Sequence, residues 1–547
     1  MSYMDITGKN LPAAVTTDDD SSAGMRSPDS VTREQIAAAL AQSHSADECV
    51  QLAGHAEVAG DTDLVRQCLG QAIALDRNCG AALVMLAAQS MDDGDRAGTF
   101  AMLEESFRAG LLPAELAELH RALADEMAGN EQLESYLRVI GRNAAPRATN
   151  SLSVLLITNL FPPQELGGYG RMMWEFAHGL IARGHRVRVL TSDLSEFAKP
   201  ATPDERVMEQ NVHRTLRLVG TWVGGRGVAL DHRDEVMRRF RDNASRVRTA
   251  IGKLGADLVL VGNIDFLGAS VLRPALEGGI PVLHALANAG PGFAVSEQPR
   301  VGTYWVAPCS DWNGRAFREA GFSPARMETV YPGARVDRFF RLFLPDTRRL
   351  RICYASLMLP YKGAGTLVQA LGKLQAAGVD FTAEIAGDAP NADFLREMQE
   401  HVRACGLEER VRFTGFLDRQ QLSALFARSN VLVFPSVFNE PFGISQVEAL
   451  AAGLVVVSSG TGGAKEVIRD HVDGLIFPAG DAAALAERLA LLARDAVLFA
   501  RLQRSAQARA ITFAVGESVL KIEKLAAEMQ AAQATAPVDE FAAVALS

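Results

Sequence analysis

The feature that most constrains the fold is an alternation of short apolar runs with helical stretches, which occurs twice in the chain. From residue 152 it begins with "LSVLLITNLF", "GGYGRMMWEFAHGLIARGH" and "RVRVLTSD", and it restarts near residue 349 with "LRICYASL". Strands that alternate with helices in this way predict parallel sheets covered by helices on both faces. The predicted fold class is therefore α/β, with two Rossmann-like domains facing a ligand-binding cleft.

The region before residue 148 has a different pattern, with helical stretches and almost no strand signals. Gly60-Asp61, Gly94-Asp95 and Gly129-Asn130 recur at spacings of 34 and 35 residues, each before an amphipathic stretch. This period resembles a degenerate tetratricopeptide array with two helices per repeat. A plain helical bundle is the alternative, because the fuller repeat consensus is missing.

These patterns divide the chain of 547 residues into segments, of which about three are large enough to be domains. The predicted segments are a disordered stretch over 1–30, an all-α tetratricopeptide-like domain over 31–147, a first Rossmann-like domain over 148–342, a second over 343–512, a helix over 513–530 that packs back on the first Rossmann-like domain, and a disordered tail over 531–547.

Composition excludes several classes of protein. A net charge of −10 leaves no global positive field, so general nucleic-acid binding is not expected. The six cysteines are scattered without a CxxC pair, which favours reduced thiols over a zinc site or disulfide frame. The N-terminus does not read as a signal peptide, and no apolar run approaches the ~18 residues of a spanning helix. We therefore expect a cytoplasmic protein.

The stretch "NEPFGISQVEAL" places one carboxylate in a turn and a second inside the following helix. Pro441 disfavours a helical conformation at Glu440, so Glu440 lies in the turn. The helix begins near Gly443, and its free amides form an anion site. Glu448 lies about 7.5 Å further along the axis. This layout suits a ligand with an anionic middle and hydroxyl-rich ends, such as a sugar nucleotide.

A lysine and a glycine-rich turn extend this candidate site. Lys362, in "LPYKGAGTLVQAL", precedes a helix and could bind a diphosphate as a point charge. The turn "SSGTGGAKEVI" follows another strand of the same predicted sheet. Taken alone, each feature is more often an ordinary surface residue or loop. Their combination supports the interpretation as a sugar-nucleotide site.

Taken together, these motifs resemble the retaining glycosyltransferases of family 4, which have the GT-B fold and an E-x7-E motif. Residues 440–448 match that motif, and the resemblance runs from about residue 152 to 525. It includes, in family order, "VYPGARVDRFF", "YKGAGTL", "IAGD", "VRFTGFL", "VFPSVFNEPFGISQVEALAAGLVVVSSGTGGAKEVI" and "DGLIFPAGD".

The resemblance implies a role for each matched residue. Glu448 would hold the donor's ribose, Glu440 would contact the donor sugar, and Lys362 would stabilise the leaving diphosphate. The matched backbone positions would bind the phosphates and the sugar. They are Phe442, Gly443 and Ile444 in the second α/β domain, and Gly168 in the first.

Two positions depart from the family pattern. Ser356 stands where the family usually has an arginine, six residues before Lys362. Arg171 is a candidate substitute for the missing charge and also a candidate acceptor-side residue. The family also often has an acceptor-side histidine after a strand. Here His284 comes earlier, within the predicted strand, so a core histidine is the alternative to a functional one.

The function implied is retaining transfer of a sugar from a nucleotide-diphosphate sugar to a glycan or lipid-linked glycan acceptor in cell-surface polysaccharide biosynthesis. No metal or other cofactor is expected. The alternatives are a catalytically inactive scaffold that binds partners, or a transferase with a protein acceptor chosen by the helical repeats. A dehydrogenase is rejected because Gly168-x-Gly170-x-x-Met173 lacks a third glycine.

Two further segments are weighed. Asp93-Gly94-Asp95 has the D-x-D form that metal-dependent transferases use, but it lies in a predicted repeat turn and is rejected. Residues 233–255 combine basic and apolar side chains in a predicted helix. That helix is either an ordinary surface helix or a site of peripheral contact with anionic lipid at the inner face of the membrane.

Overall fold

The chain is described by a computed structural model. It covers residues 32–76, 79–92, 96–108, 112–126, 148, 150–223, 226–230, 232–288, 290–341 and 344–535. The predicted disordered segment over 1–30 and most of the predicted tail over 531–547 lie outside these described residues.

The N-terminal domain is helical over its described residues. Gly60 adopts a φ of 71° and Asp61 accepts a hydrogen bond from the amide of Leu64, so this Gly-Asp pair turns the chain and caps the next helix. Gly94-Asp95 and Gly129-Asn130 lie outside the described residues, so the tetratricopeptide-like array stays a prediction. The helices are α1 Arg33–Gln42, α2 Ala46–Val58, α3 Thr62–Leu75, α4 Gly80–Asp92, α5 Arg96–Arg108 and α6 Ala117–Glu126.

The first α/β domain contains a parallel sheet that has seven strands in the described residues, in the order β3-β2-β1-β6-β7-β8-β9. A separate antiparallel pair, β4-β5, follows β3. The strands are β1 Ser153–Ile157, β2 Arg186–Ser192, β3 Val212–Leu216, β4 Gly220–Val223, β5 Arg226–Ala229, β6 Leu258–Val261, β7 Val282–Leu286, β8 Tyr304–Pro308 and β9 Arg326–Met327. The helices are α7 Gly168–Ala182, α8 Pro203–Met208, α9 Arg233–Leu254, α10 Arg273–Glu277, α11 Asp311–Glu319 and α12 Val336–Phe339.

The second α/β domain repeats this architecture with six parallel strands in the described residues, in the order β12-β11-β10-β13-β14-β15. The strands are β10 Leu350–Ala355, β11 Phe381–Ala386, β12 Val411–Gly415, β13 Val431–Phe434, β14 Val455–Ser458 and β15 Leu475–Ile476. The helices are α13 Ala364–Ala376, α14 Ala392–Ala404, α15 Arg419–Arg428, α16 Ile444–Ala451, α17 Ala482–Arg494 and α18 Ala496–Ile511. The predicted α/β class with two parallel sheets is confirmed.

The C-terminal helix α19, Val515–Thr535, packs against α7 in the first α/β domain. Gly179 permits this contact, because a Cβ there would lie only 2.6 Å from Val519 Cγ2. The Glu523 carboxylate of α19 adds polar contacts, with the guanidinium of Arg183 and the ring of His185. The chain thus returns from the second domain to the first.

Three local features can be compared with the sequence. The glycine-rich turn after β14 contains a 3-10 turn, Gly462–Glu466, in which Gly462 takes a φ of 60° that suits glycine. The helix α18 has no counterpart in the sequence analysis, although Asp495 caps it. The predicted C-terminal helix ends at Thr535 rather than at residue 530.

The helical domain packs against the second α/β domain through α3 and α15. The Gln420 amide donates a hydrogen bond to the carbonyl of Leu75, and Arg428 donates to Gln71 Oε1 at 3.3 Å. These contacts place the N-terminal helices beside a helix whose first residue, Arg419, is part of the site described next.

Candidate functional site

The two parallel sheets meet at a cleft, and direct contacts tie its walls together. The Ser310 hydroxyl, at the start of α11, donates a hydrogen bond to the Pro441 carbonyl at 2.7 Å. The Glu466 carboxylate accepts hydrogen bonds from the amides of Asp311 and Trp312 at 3.0 and 2.7 Å. A carboxylate of the second domain therefore caps a helix of the first, which is the electrostatically favoured end.

The helix α16 opens towards this cleft from the second domain. Its N-cap, Gly443, has a φ of 99°, and a Cβ there would lie 2.7 Å from Gln446 Nε2 and 3.0 Å from the ring of Phe434. The position therefore requires glycine on conformational and steric grounds. In the described part of the chain, the amides of Phe442, Gly443 and Ile444 form no hydrogen bond. They are available to an anion.

A second helix start faces α16 across the cleft. The helix α7 begins at Gly168, which is exposed, and a Cβ at that position would lie 3.7 Å from Ile444 Cδ1. Tyr169 fixes this turn by donating a hydrogen bond from its hydroxyl to the Ala285 carbonyl at 2.5 Å. Two helix N-termini from different domains thus converge, and both favour a negative charge between them.

Lys362 and Glu440 form an ion pair with an Nζ–Oε1 distance of 2.6 Å. The Ser436 hydroxyl donates to the same carboxylate oxygen at 2.7 Å. The Lys362 side chain is 20% exposed and that of Glu440 is 7% exposed, so the ammonium remains open to the cleft while the carboxylate is nearly enclosed. Gly363 allows this approach, since a Cβ there would lie 1.9 Å from the Pro435 carbonyl oxygen.

Glu448 lies inside α16 with its side chain 2% exposed, and the Arg419 guanidinium binds its Oε1. Arg419 also lies over the ring of Phe339 at 4.9 Å. Arg419 is not among the site residues predicted from the sequence. Nothing in the local pattern could have identified it, because Arg419 and Glu448 are 29 residues apart on different helices.

Ser356 lies close to the Lys362–Glu440 pair. The loop after β10 places Ser356, Lys362 and Glu440 around one small concavity. The backbone there is tightly packed, since a Cβ at Gly387 would lie 1.8 Å from the Ser356 carbonyl oxygen. The position where the family usually carries an arginine therefore does border the site.

The two acceptor-side candidates need correction. His284 lies in β7 in the core, where Nε2 donates to the Gly262 carbonyl at 3.2 Å and Nδ1 accepts from the Tyr304 hydroxyl at 2.9 Å. Burial lowers the pKa of His284 to about 4, so the ring is neutral near pH 7. Arg171 is neutralised by Glu165 and Glu205, at 2.8 and 2.6 Å. Neither side chain is free to bind a substrate.

Asp93-Gly94-Asp95 lies outside the described residues. Among the residues that are described, no three His, Cys, Asp or Glu side chains group so as to hold a metal ion. Over the same residues, none of the helices is both long and apolar enough to cross a membrane.

Comparison with known proteins gives a family match over part of the second α/β domain. Residues 337–509 match the family model for glycosyl transferases group 1. These residues span most of the second α/β domain and include Lys362, Arg419, Glu440 and Glu448. This part of the chain is a glycosyltransferase group 1 domain.

Two relatives align with the chain over different lengths. A D-inositol 3-phosphate glycosyltransferase of Salinispora tropica is 30% identical over 217 residues, which are 36% of this chain and 45% of that protein. A GDP-mannose-dependent alpha-(1-6)-phosphatidylinositol monomannoside mannosyltransferase of Mycobacterium tuberculosis is 27% identical over 364 residues, which are 62% of this chain and 89% of the relative. The chain thus spans just under half of the first relative and most of the second.

A solved structure shows the same fold. The Anabaena protein Alr3699/HepE, crystallised with UDP and glucose, aligns with a TM-score of 0.55 at 20% sequence identity. The match covers 69% of this chain and all of that one. The two α/β domains have the GT-B architecture.

Proposed function

We propose that this chain is a retaining glycosyltransferase of family 4. It moves a sugar from a nucleotide-diphosphate sugar to a glycan or lipid-linked glycan acceptor in the biosynthesis of cell-surface polysaccharide. The observation that carries the proposal is the convergence of two helix N-termini from different domains, at Gly168 and Ile444, with the Lys362 ammonium in the same cleft. The relatives named above, which are transferases of sugars, support it.

The donor's diphosphate lies between the two helix starts in this proposal. Helix dipoles contribute about half a positive charge at each N-terminus, and the unbonded amides of Phe442, Gly443 and Ile444 supply donors. Gly168 lets the backbone of the first domain approach the phosphates without a side chain in between. The Lys362 ammonium adds a full positive charge.

The donor's ribose binds at Glu448. Hydroxyl groups of the ribose donate to the Glu448 carboxylate, which is the only full negative charge within α16. Arg419 already occupies one oxygen of that carboxylate, so it orients Glu448 in the absence of ligand. The second oxygen is left for the ribose.

The transfer step needs positioning and charge stabilisation more than a protein nucleophile. Glu440 accepts hydrogen bonds from the donor sugar's hydroxyls, and Lys362 stabilises the diphosphate as its bond to the anomeric carbon breaks. The acceptor's oxygen bonds to that carbon on the same face and passes its proton to a diphosphate oxygen. Lysine and helix amides neutralise the leaving group, so we propose that no metal is required.

The test is thermal stabilisation of the full chain by UDP, GDP, ADP and dTDP, with Glu448→Ala in parallel. A ligand at a hundred times its dissociation constant adds about 2.7 kcal/mol to the free energy of unfolding. We expect one nucleotide to stabilise the wild type and not the variant, which would also name the donor's base. Lack of stabilisation by all four nucleotides would contradict the proposal.

One observation favours a second candidate function. The helical domain packs on α15, the helix that carries Arg419, so a partner bound there would lie close to the donor site. With Ser356 in place of the family's arginine, this supports a partner-binding scaffold or a transferase with a protein acceptor. Retained transfer activity in the purified chain with a glycan acceptor would exclude the scaffold.

The proposed location is the cytoplasm, with contact at the inner face of the membrane through 233–255. The structure shows how that segment divides its apolar residues. Val247 is fully buried against the sheet, and the Phe240 ring packs close to Gly268, whereas Met237 is 48% exposed. Binding of the chain to anionic vesicles that weakens with salt would support membrane contact.

A further inference from the structure

A second concave site lies in the first α/β domain, away from the cleft. It is a cavity of about 780 Å³ between α9 and the neighbouring strands β2 and β3. That volume is in the range of small-molecule binding sites. The cleft is at the carboxyl ends of the strands, whereas this cavity includes Arg186, the first residue of β2. The proposed transfer reaction does not use it.

The cavity originates in the sequence of β2. Val187 and Val189 point into the core beneath α7 and α19, so Arg186 and Arg188 point to the opposite face of the sheet. A parallel sheet is normally apolar on both faces because helices cover both. Here two arginines lie on the face towards α9 and line the space between that helix and the strands β2 and β3.

The helix α9 presents a matching stripe to the cavity. Arg246, Ala250 and Lys253 follow one another at helical spacing, and all three line the cavity. Val247, which is fully buried, anchors the helix beside them. The cavity is therefore a gap between a fixed helix and the sheet, with cations on both walls.

The four cations of the cavity are Arg186, Arg188, Arg246 and Lys253. In the part of the chain that the structure describes, the three arginines donate hydrogen bonds only to neutral oxygens, those of Ser153 Oγ, Asn211 Oδ1 and the Thr215 carbonyl. Within the described residues, none of the four cations forms an ion pair, and the lining contains neither Asp nor Glu. Two histidines, His185 and His213, also line the cavity, and His185 is bound to Glu523.

Other arginines of the same helix behave differently. Arg239 pairs with Glu235 at 2.7 Å, and Arg248 pairs with Glu277 at 2.8 Å. In a chain with a net charge of −10, carboxylates are plentiful, yet they are absent from this lining. Four uncompensated cations around one cavity repel one another, and an anion with two charges would relieve that repulsion.

The floor of the cavity is apolar. Leu155 and Leu190 line it from the sheet, and Ile181 and Leu254 line it from the helices. We propose that the cavity binds a monomeric amphiphile that carries a phosphate group. The phosphate lies between the arginines of β2 and the cations of α9, where bidentate guanidinium contacts suit it. The apolar body of the ligand lies on the leucine floor.

The experiment is calorimetric titration of the full chain with octyl phosphate below its micelle concentration. Inorganic phosphate and octyl maltoside serve as probes of the head and the tail alone. Vesicles of anionic phospholipid test a membrane surface as the source of phosphate. The variants are Arg188→Gln and Lys253→Gln, with Arg248→Gln as the matched control on the same helix, outside the cavity.

We expect octyl phosphate to bind the wild type more tightly than either partial probe. Arg188→Gln and Lys253→Gln should each weaken binding about tenfold, and Arg248→Gln should leave it unchanged. Ala250→Trp keeps every charge but fills the cavity, so it should abolish binding. Equal binding of inorganic phosphate, undiminished binding by Ala250→Trp, or binding only to vesicles would overturn the proposal.

Discussion

The two walls of the cleft differ in how they use charge. The second α/β domain places two carboxylates there, each paired with a cation from another loop or helix, as Lys362–Glu440 and Arg419–Glu448. The first α/β domain contributes the backbone of Gly168, and its candidate cation Arg171 is neutralised by its own domain. The comparison teaches that charge chemistry resides in one domain, while the other shapes and closes the site.

The largest effect should follow loss of the charge that faces the diphosphate. Lys362→Met should lower the transfer rate by about 10²–10³-fold, as removal of a group that stabilises developing charge does. This loss is measured as the steady-state transfer rate, with the nucleotide sugar whose base the thermal-stabilisation test identifies. Lys373→Met, at an exposed position of α13, is the matched control and should retain the wild-type rate. A fully active Lys362→Met variant would contradict the conclusion that the second α/β domain supplies the charge that stabilises the diphosphate.

A smaller effect should follow at the ribose end of the same wall. Glu448→Gln should weaken nucleoside diphosphate binding about tenfold, because a charged acceptor for the ribose hydroxyls is lost. Arg419→Met should weaken it less, since the arginine acts through Glu448.

The pairing is tested directly by the free energies of unfolding of the wild type, of Glu448→Gln, of Arg419→Met and of the double variant. A coupling free energy of about 0.5–3 kcal/mol is expected for two groups in direct contact. Additive changes would show that Arg419 does not hold Glu448.

A gain of charge on the same wall should sharpen the comparison. Ser356→Arg adds a cation beside the concavity that Lys362 and Glu440 line, so it should tighten nucleoside diphosphate binding several-fold. The gain should shrink as salt rises. Ser356→Gln has a similar length without the charge and should show no gain. Equal tightening by both variants would point to packing instead of charge.

The smallest effect on transfer is expected from the first domain's core histidine. His284→Gln should leave the rate at pH 7 nearly unchanged, since the ring is buried and neutral. It should instead alter how stability depends on pH. The folded pKa of about 4 lies below the unfolded value of about 6.5, so the unfolded chain binds the extra proton between those pH values.

Stability in the wild type therefore falls as pH drops from about 6.5 to 4, by about 3 kcal/mol from this residue. Denaturant unfolding across that pH range measures the slope, which should be shallower in His284→Gln. His401→Gln, at an exposed position of α14, is the control and should keep the wild-type slope. A strong loss of transfer activity in His284→Gln would instead support a role for His284 in binding the acceptor.

Local patterns predicted much of the fold and part of the candidate site. The apolar run before Pro435, the turn at Pro441 and the helix after Gly443 follow from neighbours within a few residues, because periodicity and backbone restriction act locally. Lys362 and Glu440 were predicted as separate features of the site. The sequence could not show that they form an ion pair, or that Ser436 donates to the same oxygen.

Short-range patterns in the chain define the set of elements, their order and the positions of the matched motif. Which distant side chains meet depends on how the whole chain folds. The tertiary structure placed Arg419 on Glu448, turned His284 into the core and seated the helical domain on α15. Among the described residues, it also brought four cations together around the cavity beside α9 with no carboxylate in the lining. A pattern fixes which face of an element is apolar, whereas the partner of each polar atom depends on packing across the whole chain.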